Sequence, residues 1–333
     1  MPWSEPGGPA TLALAALLLS AGATRWSIGH AHRRGLLDAP GARRSHALPT
    51  PRGGGIGIAL AALAACAWLA GARGEPVWLL VAAGLGVVAA TGWWDDHRPL
   101  PVAPRLLAHA LAAGLLAAAL LLQGAGMAAA LAGALLALGL VNAWNFIDGI
   151  DGLAASQALL CALGLWVVLT GGAALLALVL AAACLGFLPF NAPRARVFLG
   201  DVGSGSLGYL LAVLLASAFA ASPAPAWPLL LMGVSAVLAD TALTLAWRVR
   251  RGQRVWQPHV EHAYQRWARA AGHPRVAAGY ALWTIVAIGF MLATMNGSVA
   301  VLLASAVAWA LASAAAWRWL HRAHSGRTEG FGS

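Results

Sequence analysis

Long apolar runs set the strongest limit on what this chain can fold into. Eleven stretches approach or reach the roughly 20 residues that a membrane-spanning helix needs, and Gly, Pro or charged residues separate them. With 60% hydrophobic and 10% charged residues, the chain carries more apolar surface than a soluble fold of its length can bury. The sequence therefore predicts one polytopic all-α integral membrane domain over residues 1–333. Its predicted spans are 10–28, 54–71, 77–94, 105–123, 126–146, 152–170, 173–190, 204–221, 226–247, 276–295 and 297–317.

The arginines give the chain an orientation. If the N-terminus lies outside, eleven spans put the C-terminus inside, and every basic residue except Arg73 then falls on the inner side. Cytoplasmic loops carry such an excess of positive charge. A cleaved signal peptide is not expected, because MPWSEPGGP has no positive charge. We predict a multi-pass membrane protein with its N-terminus outside and its C-terminus inside. The net charge of +10 points to anionic lipid or an anionic substrate and not to nucleic acid.

The carboxylates raise the functional question. Only 11 of 333 residues are acidic, yet Asp95 and Asp96 stand side by side in WWDDHRPL at the end of an apolar run. Asp148 and Asp151 in NAWNFIDGIDGLA, and Asp201 in VFLGDVGSGSLG, fall on the same predicted inner face. Carboxylates gathered at one face repel each other unless a cation neutralises them, and hard oxygen ligands suit Mg²⁺, with Mn²⁺ as the alternative. Helix capping is the simpler explanation for a single aspartate.

Polar residues around the aspartates extend this pattern. Asn142, Asn145, Asp148 and Asp151 recur every three residues, and we expect them to share one polar face. Glycines beside Asp201, and Arg52 with three glycines in PTPRGGGIG, precede predicted helices whose N-terminal amides attract anions.

These motifs resemble the polyprenyl-phosphate N-acetylhexosamine-1-phosphate transferases, a family that includes the phospho-N-acetylmuramoyl-pentapeptide transferases. The resemblance rests on RSHALPTPRGGGIGI, DDHRPL, NAWNFIDGIDGL, the spacing from Asn191 to FLGDVGSGSLG, and Asp240-Thr241 before Arg248. It implies transfer of a sugar 1-phosphate from a UDP-N-acetylhexosamine to undecaprenyl phosphate at the cytoplasmic face, with Mg²⁺ and release of UMP. A homodimer is left open.

The resemblance also assigns roles to residues. Asp201, Asn145 and Asp151 would ligate Mg²⁺, and Asp95 and Asp96 would position or deprotonate the lipid phosphate. Arg52 and Arg105 would hold that phosphate, Phe198 would stack on uracil, and Asn191 and Asn142 would contact substrate. Asp148 and Asp151 would belong to the catalytic set, together with His259 and His262.

The histidine segment HVEHAYQ resembles an HxxH form of a family motif that influences sugar choice. It departs from the HHH type, which argues against a muramoyl-pentapeptide and for a plain or 6-deoxy N-acetylhexosamine of O-antigen or a related glycan. The two histidines could also be structural, or ligate zinc, although a third ligand is not evident. The chain has no lysine, so Arg98 or Arg105 would replace the lysines that some relatives carry after the aspartate pair.

A transporter with a carboxylate proton relay is the main alternative class. Such a protein places ionisable residues near the middle of the membrane. Here only Asp240 lies well inside a predicted span. We expect it to be a structural hydrogen-bonder or to support the site indirectly.

Overall fold

The computed structural model describes residues 8–38, 49–254, 257 and 259–323, and these form a helical bundle with one small hairpin. The part of RSHALPTPRGGGIGI before residue 49 lies outside them. The thirteen helices are α1 (Pro9–Arg34), α2 (Ile56–Ala72), α3 (Trp78–His97), α4 (Val102–Leu122), α5 (Met127–Ile147), α6 (Leu153–Val168), α7 (Gly171–Asn191), α8 (Gly200–Ala220), α9 (Trp227–Leu230), α10 (Ser235–Arg250), α11 (Ala263–Ala271), α12 (His273–Thr294) and α13 (Val299–Ala323).

Helix length and composition confirm the all-α integral membrane class. Within the described part of the chain, nine helical stretches are long and apolar enough to cross a membrane. Two more apolar helices, α2 and α6, have 17 and 16 residues. At 1.5 Å per residue each measures about 25 Å, slightly less than a hydrocarbon core of about 30 Å. All eleven predicted runs coincide with these helices, while the count of eleven spans and the orientation stay predictions.

The ninth predicted span is less regular than expected. Its helical stretch, Ala224–Arg250, contains two short 3₁₀ segments, Ala224–Ala226 and Leu231–Val234, on either side of α9. Prolines 223, 225 and 228 explain the irregular start, because proline donates no backbone N–H and crowds the preceding turn.

Two elements were not predicted. The hairpin pairs β1 (Leu37–Asp38) with β2 (Thr50–Pro51) in antiparallel register. The nine-residue helix α11 lies in the long loop between α10 and α12, which belong to the ninth and tenth apolar segments. Neither has the length of apolar sequence that reveals a span, so hydropathy alone does not detect them.

Helix α8 forms the centre of the bundle. Val202 to Ala216 are buried without exception, and α8 packs most extensively on α5 and α3. These contacts are backbone to backbone: a Cβ at Gly92 of α3 would collide with the Asp201 carbonyl, and one at Gly208 with that of Leu140. Small residues permit such close approach between membrane helices. The N-terminal turn of α8 is therefore held against the last turns of α3 and α5.

Substituting Gly92 tests this packing. We expect Gly92→Ala to lower the melting temperature in detergent, at a cost of about 1–3 kcal/mol for overpacking. Gly86→Ala is the matched control, because the same helix leaves open space around Gly86. Equal melting temperatures for the two variants would contradict the close packing of α3 on α8.

Candidate active site

The candidate site is built around Asp201, which lies in the first turn of the buried helix α8. Its Oδ1 accepts a hydrogen bond of 2.6 Å from Nδ2 of Asn145, in the last turn of α5. Asn145 Nδ2 also lies 3.4 Å from Oγ of Ser204. Two helices thus bring together the predicted pair of Asp201 and Asn145, which are 56 residues apart in sequence.

The adjacent carboxylates Asp95 and Asp96 have different partners. Asp96 accepts the backbone N–H groups of Asp201 and Val202 at 3.0 and 3.1 Å, so it caps α8 although it belongs to α3. Asp95 accepts the N–H of Leu100 at 2.6 Å and pairs with Arg105 Nη1 at 3.3 Å. Capping and placement at the site therefore coexist in this pair.

A cavity of about 250 Å³ opens beside these side chains. Its lining is mainly polar and includes most of the predicted site residues. The predicted residues in the lining are Arg52, Asp96, Asn145, Asp148, Asp151, Asn191, Phe198 and Asp201, and the lining also contains Asp38, Gly149, Ile150, Gly200 and Gln265. A smaller cavity of about 20 Å³ shares Asn145 and Asp201 and is lined by Asp95 and Arg105.

Asp148 follows α5 directly and is the most perturbed carboxyl outside the spans. Burial, with the Asp201 and Asp96 carboxylates nearby, raises the pKa of Asp148 well above its usual range. Three carboxyl groups in one buried cluster favour either a bound proton or a bound cation.

The hairpin carries Arg52 to the cavity. Its guanidinium pairs with Asp38 of β1 at 2.7 Å. The N–H of Phe198 donates to the carbonyl of Pro51 at 2.8 Å, and the N–H of Gly54 donates to the carbonyl of Phe198 at 2.9 Å. One cation and one aromatic ring therefore share the same side of the cavity.

Asp151 and Asn191 brace the loops around the cavity. Oδ2 of Asp151 accepts the N–H of Ala195 at 3.2 Å and lies 3.3 Å from Nδ1 of His273. Asn191 accepts the N–H of Gly152 at 2.8 Å and donates to the carbonyl of Val197 at 3.0 Å. Asn191 is buried and uses both ends of its amide in these bonds, so its nucleotide contact stays a prediction.

Asn142 departs from the expected shared face. Its Nδ2 donates to the carbonyl of Leu138 at 2.8 Å within α5, and it does not line the cavity. Asn142 precedes Asn145 by about 4.5 Å along α5, so it lies deeper in the bundle. Its bond to Leu138 holds the amide away from the cavity.

His259 and His262 lie beside the cavity and not in its lining. His262 is buried at 2% exposure, stacks on Phe146 and Tyr264, and precedes α11. The rings of the two histidines are 4.8 Å apart. Burial, His262 and Arg248 lower the pKa of His259 to about 4, so its imidazole is neutral at pH 7.

Three residues of the site were missed in the sequence. Asp38 and Gln265 line the cavity, and His273 contacts Asp151. Each lies in an element that no apolar pattern marks, namely β1, α11 and the start of α12. The signal available for Gln265 was its place in HVEHAYQ.

The donor set is suited to a hard divalent cation. Carboxylates of Asp96, Asp148, Asp151 and Asp201 and the amide of Asn145 line one cavity, where Arg52 is the single arginine in the lining. Among the described residues, no three His, Cys, Asp or Glu side chains form a complete metal cluster. Mg²⁺ is usually held by one or two carboxylates together with substrate phosphates and water, so a complete cluster is not required.

The different contacts of Asp95 and Asp96 predict different stabilities. In Asp96→Asn the amide offers one acceptor for two N–H donors, and we expect a loss of about 1–3 kcal/mol. Asp95→Asn keeps an acceptor for Leu100 and loses mainly a partly exposed ion pair worth about 0–1 kcal/mol. Melting curves in detergent measure both, and equal destabilisation would contradict the capping of α8 by Asp96.

Known proteins resemble this chain over the helices that carry the candidate site. The family model of glycosyl transferase family 4 matches residues 78–218, from the start of α3 to the last turn of α8. A decaprenyl-phosphate N-acetylglucosaminephosphotransferase of Mycolicibacterium smegmatis is 33% identical, over 84% of this chain and 80% of the relative. A phospho-N-acetylmuramoyl-pentapeptide-transferase of Thermosynechococcus vestitus is 35% identical, over 49% of this chain and 50% of the relative.

A third relative is the probable undecaprenyl-phosphate N-acetylglucosaminyl 1-phosphate transferase of Bacillus subtilis, 35% identical over 39% of this chain and 37% of the relative. The first of the three relatives aligns over most of both sequences, and the family model covers the helices that carry Asp95, Asp96, Asn145 and Asp201. This chain belongs to glycosyl transferase family 4.

Proposed function

We propose that this protein transfers an N-acetylhexosamine 1-phosphate from a UDP-sugar to undecaprenyl phosphate, releasing UMP. The single observation that carries the proposal is the cavity at the start of α8, where side chains from α3, α5 and α8 converge. Two of the relatives above are named as transferases of N-acetylglucosamine phosphate to a polyprenyl phosphate. One relative is named for decaprenyl phosphate, which differs from undecaprenyl phosphate in chain length and carries the same reacting phosphate.

The reaction joins two phosphates, so it needs cationic and hydrogen-bonding groups. Arg52 supports phosphate binding at the main cavity, and Arg105 beside Asp95 supports it at the smaller one. Phe198 offers an aromatic face for uracil, and Asn191 holds the loop that carries Phe198. The phosphate oxygen of the acceptor forms a bond to the phosphorus attached to the sugar as UMP leaves.

Magnesium is the proposed cofactor. Asp201 and Asn145 would hold it, with Asp151 assisting from the same cavity. The bound ion would neutralise phosphate charge in the transition state. Asp95 and Asp96 would position the acceptor phosphate, and Asp96 also fixes the first turn of α8 through its two backbone bonds.

The donor sugar is proposed to be a plain or 6-deoxy N-acetylhexosamine for O-antigen or a related surface glycan. The support is the HVEHAYQ segment, whose Gln265 lines the cavity and whose His262 stacks on Phe146 of α5. The rival transporter gains no support from Asp240. Both of its oxygens accept hydrogen bonds from Ala263, Tyr264, Tyr280 and Thr244, an arrangement typical of a structural carboxylate.

The cavity is proposed to face the cytoplasm in the bacterial inner membrane. The arginine distribution supports this orientation, because Arg52, Arg105 and the arginines of 248–275 belong to the end of the bundle that carries the site. A homodimer remains a proposal that the single chain leaves open.

Turnover by purified protein tests the proposed reaction. We expect UMP release with undecaprenyl phosphate, Mg²⁺ and a UDP-N-acetylhexosamine, and loss of release on adding EDTA. Asp201→Asn should reduce turnover by at least about 100-fold, because an amide lacks the charge that a hard cation needs. Glu75→Gln is the matched control, since Glu75 pairs with Arg73 at the opposite end of the bundle. Wild-type turnover by Asp201→Asn would remove Asp201 from the site.

Single cysteines test the orientation. The native Cys66, Cys161 and Cys184 are buried, which keeps background labelling low. We expect Arg73→Cys to react with an impermeant maleimide in intact cells and Arg254→Cys to react only after permeabilisation. External labelling at position 254 would reverse the orientation and exclude a cytoplasmic site.

A further inference from the structure

Asp240 is a buried carboxylate whose partners lie on three helices. It belongs to α10 and is 2% exposed. Oδ1 accepts the N–H of Ala263 at 2.7 Å and the hydroxyl of Thr244 at 3.2 Å. Oδ2 accepts the N–H of Tyr264 at 3.0 Å and the hydroxyl of Tyr280 at 2.7 Å. Each carboxylate oxygen therefore has two donors, which offsets the cost of burying its charge.

Two of these donors are the first N–H groups of α11. Such groups have no partner inside their own helix, and a carboxylate stabilises the positive N-terminal end. Here the carboxylate comes from α10, while Tyr280 of α12 orients it from the other side. Asp240 thus fixes where α11 begins, and Arg248, paired with Glu261, ties the preceding segment to α10.

Tyr264 connects the start of α11 to the cavity. Its buried hydroxyl donates to the carbonyl of Phe146 at 2.8 Å, in the last turn of α5. The hydroxyl occupies the space that a Cβ at Gly149 would need. Burial raises the pKa of Tyr264, so its hydroxyl keeps the proton that it donates. Phe146 and Gly149 flank Asp148, which lines the cavity.

The other contacts of α11 also face the site. Gln265 lines the cavity, and His262 stacks on Phe146 with ring centroids 5.7 Å apart. The start of α11 and the turn after α5 therefore form one continuous wall. The hydrogen bond from the Tyr264 hydroxyl to the Phe146 carbonyl joins the two parts of this wall.

We propose that Asp240 is a positioning residue, which acts through Tyr264 to hold α11 and the Asp148 turn as one rigid wall of the cavity. This inference rests on the proposed function for its effect on turnover. A carboxylate that merely stabilises the bundle would affect melting but would not alter kcat through Tyr264.

Four variants of the full-length protein separate these roles. Asp240→Asn removes half of the acceptor capacity, and Tyr280→Phe removes one donor, in case the first variant fails to fold. Tyr264→Phe leaves the backbone cap intact and removes the hydroxyl that bonds the carbonyl of Phe146 and packs on Gly149. Thr284→Val is the matched control: it also removes a buried hydroxyl from α12, one helical turn after Tyr280, where Thr284 donates to Gln157.

Limited trypsin cleavage after Arg266 and Arg269, identified by mass spectrometry, reports on α11 without any substrate. We expect cleavage to accelerate at least about tenfold in Asp240→Asn and about threefold in Tyr280→Phe, because local opening exposes α11. Thr284→Val and Tyr264→Phe should resemble the wild type. Cleavage of Asp240→Asn as slow as that of Thr284→Val would overturn the anchoring of α11.

Steady-state kinetics then tests the connection to the cavity. We expect Tyr264→Phe to lower kcat at least about fivefold with its melting temperature and the KM for UDP-sugar nearly unchanged, since the wall must be rigid mainly in the transition state. Thr284→Val should keep kcat within about twofold. Wild-type kcat in Tyr264→Phe would refute the connection. A wild-type protein that releases no UMP would instead contradict the proposed function. The cleavage assay would still test the anchoring of α11, because it needs no substrate.

Discussion

The structure depends on the burial of α8 by close backbone contact with α3 and α5. Lipid tails are as apolar as the side chains of a membrane helix, so helices gain no hydrophobic driving force by associating. Packing between membrane helices therefore relies on contact area and small residues. Gly92 and Gly208 provide this contact, since side chains there would collide with the backbone of Asp201 and of Leu140. Because α8 is surrounded on all sides, the N–H groups of its first turn need hydrogen-bond partners from neighbouring helices. Asp96 satisfies that turn from α3, and Asn145 reaches Asp201 from α5.

This packing determines the electrostatics of the cavity. Five aspartates and one arginine line the same space. Burial, together with the nearby Asp201 and Asp96 carboxylates, raises the pKa of Asp148. The arginines are placed at the edges: Arg52 pairs with Asp38 and Arg105 with Asp95. A cation held by Asp201 and Asn145 would relieve the excess negative charge, and substrate phosphates would complete its coordination. Repulsion among the carboxylates destabilises the cluster by itself, and a bound cation with its phosphate ligands would remove that repulsion.

Asp240 shows a second use of a buried carboxylate. Its oxygens are saturated by donors from α10, α11 and α12, whereas Asp148 lines the main cavity. The network of Asp240 and Tyr264 connects residues that are 118 apart in sequence, from Phe146 to Tyr264. A helix as short as α11 is marginal alone, so its position comes from these contacts.

The sequence by itself determined the membrane class, the approximate extent of the apolar helices, and the motifs DDH, NFIDGID and GDVGSG that identify the family. These follow from hydropathy and local spacing, which need no knowledge of distant contacts. The tertiary structure decided what spacing cannot express. It bound the Asn142 amide to the Leu138 carbonyl and away from the cavity, and it made Asp96 the cap of a helix whose first turn lies 105 residues along the chain. It also brought Gln265, His273 and Asp38 to the site, since side chains from separate elements meet only when the helices pack.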